Sequence, residues 1–158
     1  MEEQESILYG EDFENASALI QRGYGYWKTK AGTRPAPTWR EIKPAEIKDL
    51  LPNLVVIHVL QNPLDFVERI TGQRIIEKNY GNSMGVYWRQ FPGRGPGSRI
   101  WASMDDVVNY RKPSLQTIPY VGPHKDFLRV QTITCPISDD GKTVNKILGF
   151  VDYLRRLV

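Results

Sequence analysis

Near the start of the chain, apolar residues recur at spacings of three and four: Phe13, Ala16, Ile20, Tyr24 and Trp27. That spacing lines them up on one helical face, and Leu19 widens the stripe. Glu11, Asp12 and Glu14 suit the positive end of a helix dipole and Gly32 suits a C-cap, so the pattern predicts a helix over residues 11–32. Gly23 and Gly25 weaken it by roughly 1 kcal/mol each against alanine. Residues 1–10 read as a flexible leader.

The pattern then changes period. "TRPAPTW" is extended, because each proline pushes its predecessor out of the helical region. "KPAEIKDLLPN" predicts a short helix with Pro44 in its first turn and Pro52 at its stop. "LVVIHVL" is a strand apolar on both faces, which requires cover on each side. Asn62-Pro63 turns the chain into a second strand, "DFVERITG". Residues 73–93 read as short helices and loops, and "GRGPGS" as a mobile loop. "RIWASMDDVVNYRK" predicts a helix with Ile100, Met104, Val107 and Val108 inward. Strands over 114–121, 126–135 and 144–153 complete the chain. The order predicts an α+β fold: one five-stranded antiparallel sheet with helices packed on it.

The stretch "CPISDDGKTVNKILGF" contains Gly141-Lys142-Thr143, the end of a phosphate-binding loop. Such a loop needs an earlier glycine where this chain has Pro136, and a helix after it. Asp140-Gly141 between two apolar, β-branched runs instead writes a β-hairpin.

Composition alters this picture little. The 158 residues are enough for one domain, and 41% hydrophobic with 25% charged is ordinary for a globular protein. The acidic N-terminus lacks the features of a signal peptide. The longest apolar run, residues 50–60, is too short to span a membrane. One cysteine excludes an internal disulfide, and a cytoplasmic location follows as the expectation. The net charge of +3 is mild, with Arg89, Arg94, Arg99, Lys125, Arg129, Arg155 and Arg156 spread along the chain rather than clustered as for a nucleic acid.

Several features occur together in order: Tyr26-Trp27; Pro37, "REIKP" and "EIKDLLPNLVVI"; "FVERITG" with Arg69 and Gly72; Gly81 and Gly85; Lys112-Pro113; and the final hairpin. In this the chain resembles the small stand-alone PAS-like domain family common in alphaproteobacteria. Trp39, Glu41 and Gln73 differ from residues frequent in that family. The resemblance implies a PAS-like sheet with short helices on one face and an N-terminal helix, with residues 53–153 as the PAS core of a single domain over 11–158. It also implies a sensory or interaction module with a pocket between helices and sheet. A chain ending at "DYLRRLV" carries no output domain, so a signal is expected to pass by contact with a partner.

Within that resemblance the cofactor subclasses do not match. A flavin-adduct sensor needs a mid-domain cysteine, whereas Cys135 ends a strand; a haem sensor uses a histidine in the helical segment, whereas His58 lies on a strand and His124 in a loop. Two histidines and one cysteine in separate elements make no zinc set. No G-x-S-x-G is present, and Asp105-Asp106 point apart on a helix, so no enzyme activity is expected. Of Glu68 and Arg69, neighbours on a strand, only one can face the core, and Arg69 is singled out as a buried charge that would need a partner.

Aromatics gather in the helical segment: Tyr80, Tyr87, Trp88, Phe91 and Trp101. They either fill the core or line a pocket. The expected pocket lies between the sheet and residues 80–104, with Arg69, Tyr87, Trp88, Trp101, Thr117 and Arg129 as its candidate ligand-binding residues. The stripe Phe13, Ala16, Leu19, Ile20, Tyr24 and Trp27 is the candidate surface for a homodimer. Three functions stay open: a ligand-binding sensory module, a ligand-free interaction module, and a small isomerase- or dehydratase-like enzyme.

Overall fold

The computed structural model describes residues 6–79 and 81–155. Five antiparallel strands form one sheet: β1 (Leu54–Leu60), β2 (Asp65–Thr71), β3 (Ser114–Pro119), β4 (Phe127–Ile137) and β5 (Lys146–Arg155), in the order β2-β1-β5-β4-β3. Among the described residues three α-helices pack on it: α1 (Ala18–Ala31), α2 (Gln73–Lys78) and α3 (Arg99–Tyr110). This is the expected α+β sheet.

Both faces are covered, as the doubly apolar β1 requires. Leu54 and Val56 face a core completed by α1 and the 3-10 turns after it, with Ile20, Tyr24, Trp27, Leu148 and Phe150. Val55, Ile57 and Val59 face the other core, with Phe66, Trp88, Trp101 and Met104.

The predicted helix over 11–32 is divided. Residues Gly10–Asn15 form a 3-10 turn, Ala16 is extended, and α1 starts after Ser17. The Ser17 hydroxyl accepts from the Ile20 N–H at 3.3 Å, and Gln21 donates its side-chain amide to the carbonyls of Phe13, Glu14 and Ala16. A local cap thus outcompetes a continuous helix. Gly32 caps α1 as expected, its N–H bonding the Lys28 carbonyl.

The stripe offered for self-association belongs to the chain's own core. Ala16, Ile20, Tyr24 and Trp27 are buried, and Phe13 and Leu19 are partly buried against the same cluster. The Trp27 indole donates to the Pro136 carbonyl at 2.7 Å, fastening α1 to β4. The Tyr26 hydroxyl donates to Glu46 at 2.9 Å and accepts from the Lys43 N–H at 2.9 Å, fastening α1 to the turn Pro44–Glu46.

Three further expectations change. Ile7 is buried, Leu8 pairs with Ser114 and Gly10 opens the 3-10 turn, so residues 6–10 are built into the fold; residues 1–5 lie outside the described ones. "KPAEIKDLLPN" forms two 3-10 turns, Pro44–Glu46 and Lys48–Asn53, rather than an α-helix. On α3 the buried stripe is Trp101, Ser103, Met104 and Val107, while Ile100 is exposed. Ser98 caps that helix by accepting from the Trp101 N–H at 3.2 Å, which sets its start one turn before the tryptophan.

Two motif residues have local reasons. A Cβ at Gly72 would overlap the carbonyl oxygens of Leu51 and Pro52, so only glycine lets β2 end against the turn before β1. Asp140 closes the final hairpin by accepting from the N–H groups of Lys142 at 2.8 Å and Thr143 at 2.7 Å, and Gly141 supplies the positive φ.

Candidate functional site

The expected pocket begins on β2. Val56 and Ile57 of β1 face Ile70 and Glu68, so Arg69 is the extra residue of a β-bulge. Phe66 and Glu68 therefore turn to the helical side by plain alternation, and the bulge brings Thr71 to the same side. Glu68 is buried, 7% exposed, whereas Arg69 is exposed. The buried charge is the carboxylate, not the guanidinium.

Glu68 gathers the crossing segment. Its carboxylate forms an ion pair with Arg94 and accepts hydrogen bonds from Thr71 at 2.8 Å and Ser83 at 3.1 Å. Its backbone carbonyl accepts from the Gly85 N–H at 3.0 Å. Next along, Tyr87 bridges Val67, and the Arg89 N–H and guanidinium donate to Asp65 and to the Leu64 carbonyl. Residues 83–94 are thereby stitched along the open edge of β2. The segment expected to be mobile is anchored by Arg94, which also stacks over Phe91 at 4.3 Å and Trp88 at 5.4 Å.

Beneath this lid the space is filled. Trp88 is 1% exposed and packs on Phe66 at 5.3 Å; Trp101 meets Phe66 edge-on at 4.9 Å. These two tryptophans, expected as pocket walls, are core. The Trp88 Nε1–H finds no hydrogen-bond partner among the described residues, a buried donor whose cost the surrounding packing must offset. Tyr87 is half exposed on the outer surface, and Tyr80 lies outside the described residues.

The remaining polar candidates sit elsewhere. The Thr117 hydroxyl accepts from the Gln131 amide at 3.0 Å, and Gln131 in turn accepts from the Ser17 N–H at 2.9 Å, which places Thr117 on the α1 side of the sheet. Arg129 is exposed beside a second bulge, between Phe127 and Arg129. Arg69, Thr117 and Arg129 therefore do not meet Trp88 and Trp101. The alternation of Phe66 with Glu68 was the sequence signal for the carboxylate.

At the far end of the same face, Tyr120, Phe127 and Tyr153 stack edge to face at 5.6–5.9 Å. The Tyr120 hydroxyl donates to the Lys78 carbonyl at 2.6 Å, and the Lys78 ammonium lies 4.8 Å over the Phe127 ring. These contacts fix the end of α2. Burial, with Tyr120 beside it, pushes the Tyr153 phenol up.

His58 is half-buried on β1, its pKa lowered by burial and by Lys146 and Arg69. Burial pushes the Cys135 thiol well up. Among the described residues no three His, Cys, Asp or Glu side chains gather in a metal-binding group, and no helix is long and apolar enough to cross a membrane.

A family model described as a PAS domain matches residues 16–151, from the start of α1 almost to the end of β5. No curated protein matches the chain.

Proposed function

Since the chain belongs to the PAS domain family, we propose that it is a regulatory module that signals by contact with a partner protein and keeps its interior packed with its own aromatic side chains. The observation that carries this reading is the burial of Trp88 between Phe66 and Arg94, in the space where an interior ligand would lie. The Glu68 network supports it, because a segment stitched along β2 holds that space closed. The same network argues against catalysis. A working acid or base must come within hydrogen-bond reach of a substrate, and this carboxylate is buried, with both oxygens met by a cation and two hydroxyls.

The test is a metabolite screen by thermal melting, with hits mapped by nitrogen-15 spectra of the four tryptophan indoles. A ligand at a hundred times its dissociation constant adds about 2.7 kcal/mol, which at this length raises the melting point by roughly 5–10 °C. The reading expects no compound that gives such a shift and also moves the Trp88 and Trp101 signals. One that does both replaces it with an interior-ligand sensor.

A further inference from the structure

A hollow of about 270 Å³ lies away from the Trp88 cluster, where α1 and α3 both end. Lys28 comes from the last turn of α1 and Arg34 from just beyond it; Arg111 and Lys112 follow α3 directly. Trp27 and Tyr110 line it too, and among the described residues no acidic side chain does. Arg34 is a fixed part of the wall, bonded to Glu41 at 2.7 Å and to the carbonyls of Lys30 and Ala31. Lys28, Arg111 and Lys112 have no ion-pair partner among the described residues. Two helix C-termini attract cations, but helix ends alone do not require them to ring a hollow beside an exposed aromatic. Like charges around one hollow repel, and an anion among them turns that repulsion into attraction.

We propose that this cleft binds a small organic anion, a phosphate or carboxylate carried on a planar ring. The anionic group sits among Lys28, Arg111 and Lys112, and the ring lies against Tyr110. Arg111 supplies a planar fork and the two lysines supply mobile point charges. α1 packs on one face of the sheet and α3 on the other, so an anion held here bridges both layers from outside. Its reporter is Trp27, which belongs to the other core cluster from Trp88 and Trp101, so this site and the Trp88 space are read by separate signals.

The experiment titrates the full chain with inorganic phosphate, phenyl phosphate and benzoate, followed in nitrogen-15 spectra. Phenyl phosphate or benzoate is expected to move the Trp27 indole and the Arg111 and Lys112 amides with a dissociation constant of about 1 mM or tighter, and the tighter of the two identifies the anionic group. Inorganic phosphate is expected to bind more weakly, by roughly fivefold, for lack of the ring. The combined variant Lys28→Gln, Arg111→Asn, Lys112→Gln is expected to weaken ring-bearing anions by about tenfold or more. Tyr110→Ala, at a residue 62% exposed, is expected to abolish the preference for the ring while keeping inorganic phosphate. No movement of these signals, equal affinity in the charge variant, or a preference for the ring that survives Tyr110→Ala overturns the proposal.

Discussion

Gly23 of α1 lies against the ring of Phe150 on β5 so closely that a Cβ there would stand 2.5 Å from two of its carbons. Gly25, two residues on, has nothing within 4 Å of the same position. The pattern of the sequence treats both as weak points of one helix, yet only one of them is needed for close packing. Gly23→Ala is therefore expected to destabilise the protein by about 1–3 kcal/mol through overpacking, and Gly25→Ala to stabilise it by up to about 1 kcal/mol through helix propensity. Urea denaturation of the two variants distinguishes them; the same sign for both would show that the contact with Phe150 relaxes freely.

Glu68 is expected to be the chief tether of the segment over β2. Glu68→Ala removes the ionic partner of Arg94 and the acceptor of Thr71 and Ser83. Breaking a buried pair costs about 3–5 kcal/mol, but Arg94 reaches solvent and recovers part of that, so about 2 kcal/mol is expected. A double-mutant cycle with Arg94→Met should give a coupling above about 0.5 kcal/mol. Hydrogen exchange should quicken between Ser83 and Arg94 and stay unchanged in α1.

Acid should loosen the turn after α1. The Arg34 guanidinium, with the Thr38 backbone N–H beside it, holds the Glu41 carboxyl down at about 2 from its ordinary 4.5. A carboxyl depressed on folding stabilises the protein above its unfolded pKa, and that contribution fades as the pH falls through the folded one. The stability gap between the wild type and Glu41→Gln should thus be constant above about pH 6 and close between 4.5 and 2. A gap that persists unchanged at the acid end would mean the carboxylate charge does not matter there.

Trp88 poses a question of shape against polarity. Trp88→Ala opens a cavity under the segment and is expected to cost about 3–5 kcal/mol. Trp88→Phe leaves a smaller gap and discards the unpaired indole donor, whose burial alone costs about 1–3 kcal/mol. The phenylalanine variant should therefore lie much nearer the wild type in calorimetry than the alanine variant. Equal losses would indicate that the surrounding packing collapses onto the smaller side chain and leaves no cavity.

Strand positions were the most legible part of the sequence, because runs such as "LVVIHVL" carry their pairing in unbroken apolar residues. The α1 start was not, since Ser17 and Gln21 satisfy backbone groups that a periodic pattern cannot see. The candidate site was half legible. The aromatics Trp88 and Trp101 do lie between helices and sheet, but filling the space rather than lining it. Arg69 stands out over Glu68 in the sequence because a buried arginine would need a partner; the bulge that ejects it depends on the register with β1. The cationic hollow joins residues from positions 28 to 112, and no local spacing announces that meeting.

The relay from Ser17 through Gln131 to Thr117 joins the start of α1 to the outermost strand. A glutamine amide has fixed length and a donor end distinct from its acceptor end, so it acts as a strut between helix and margin. Any force that tilts the first turn of α1 must then either carry the rim of the sheet with it or break a bond in the middle of β4. Gln131 thus makes the helix start and the β3 margin one mechanical unit, and a protein docking along that margin would feel the attitude of a helix it never touches.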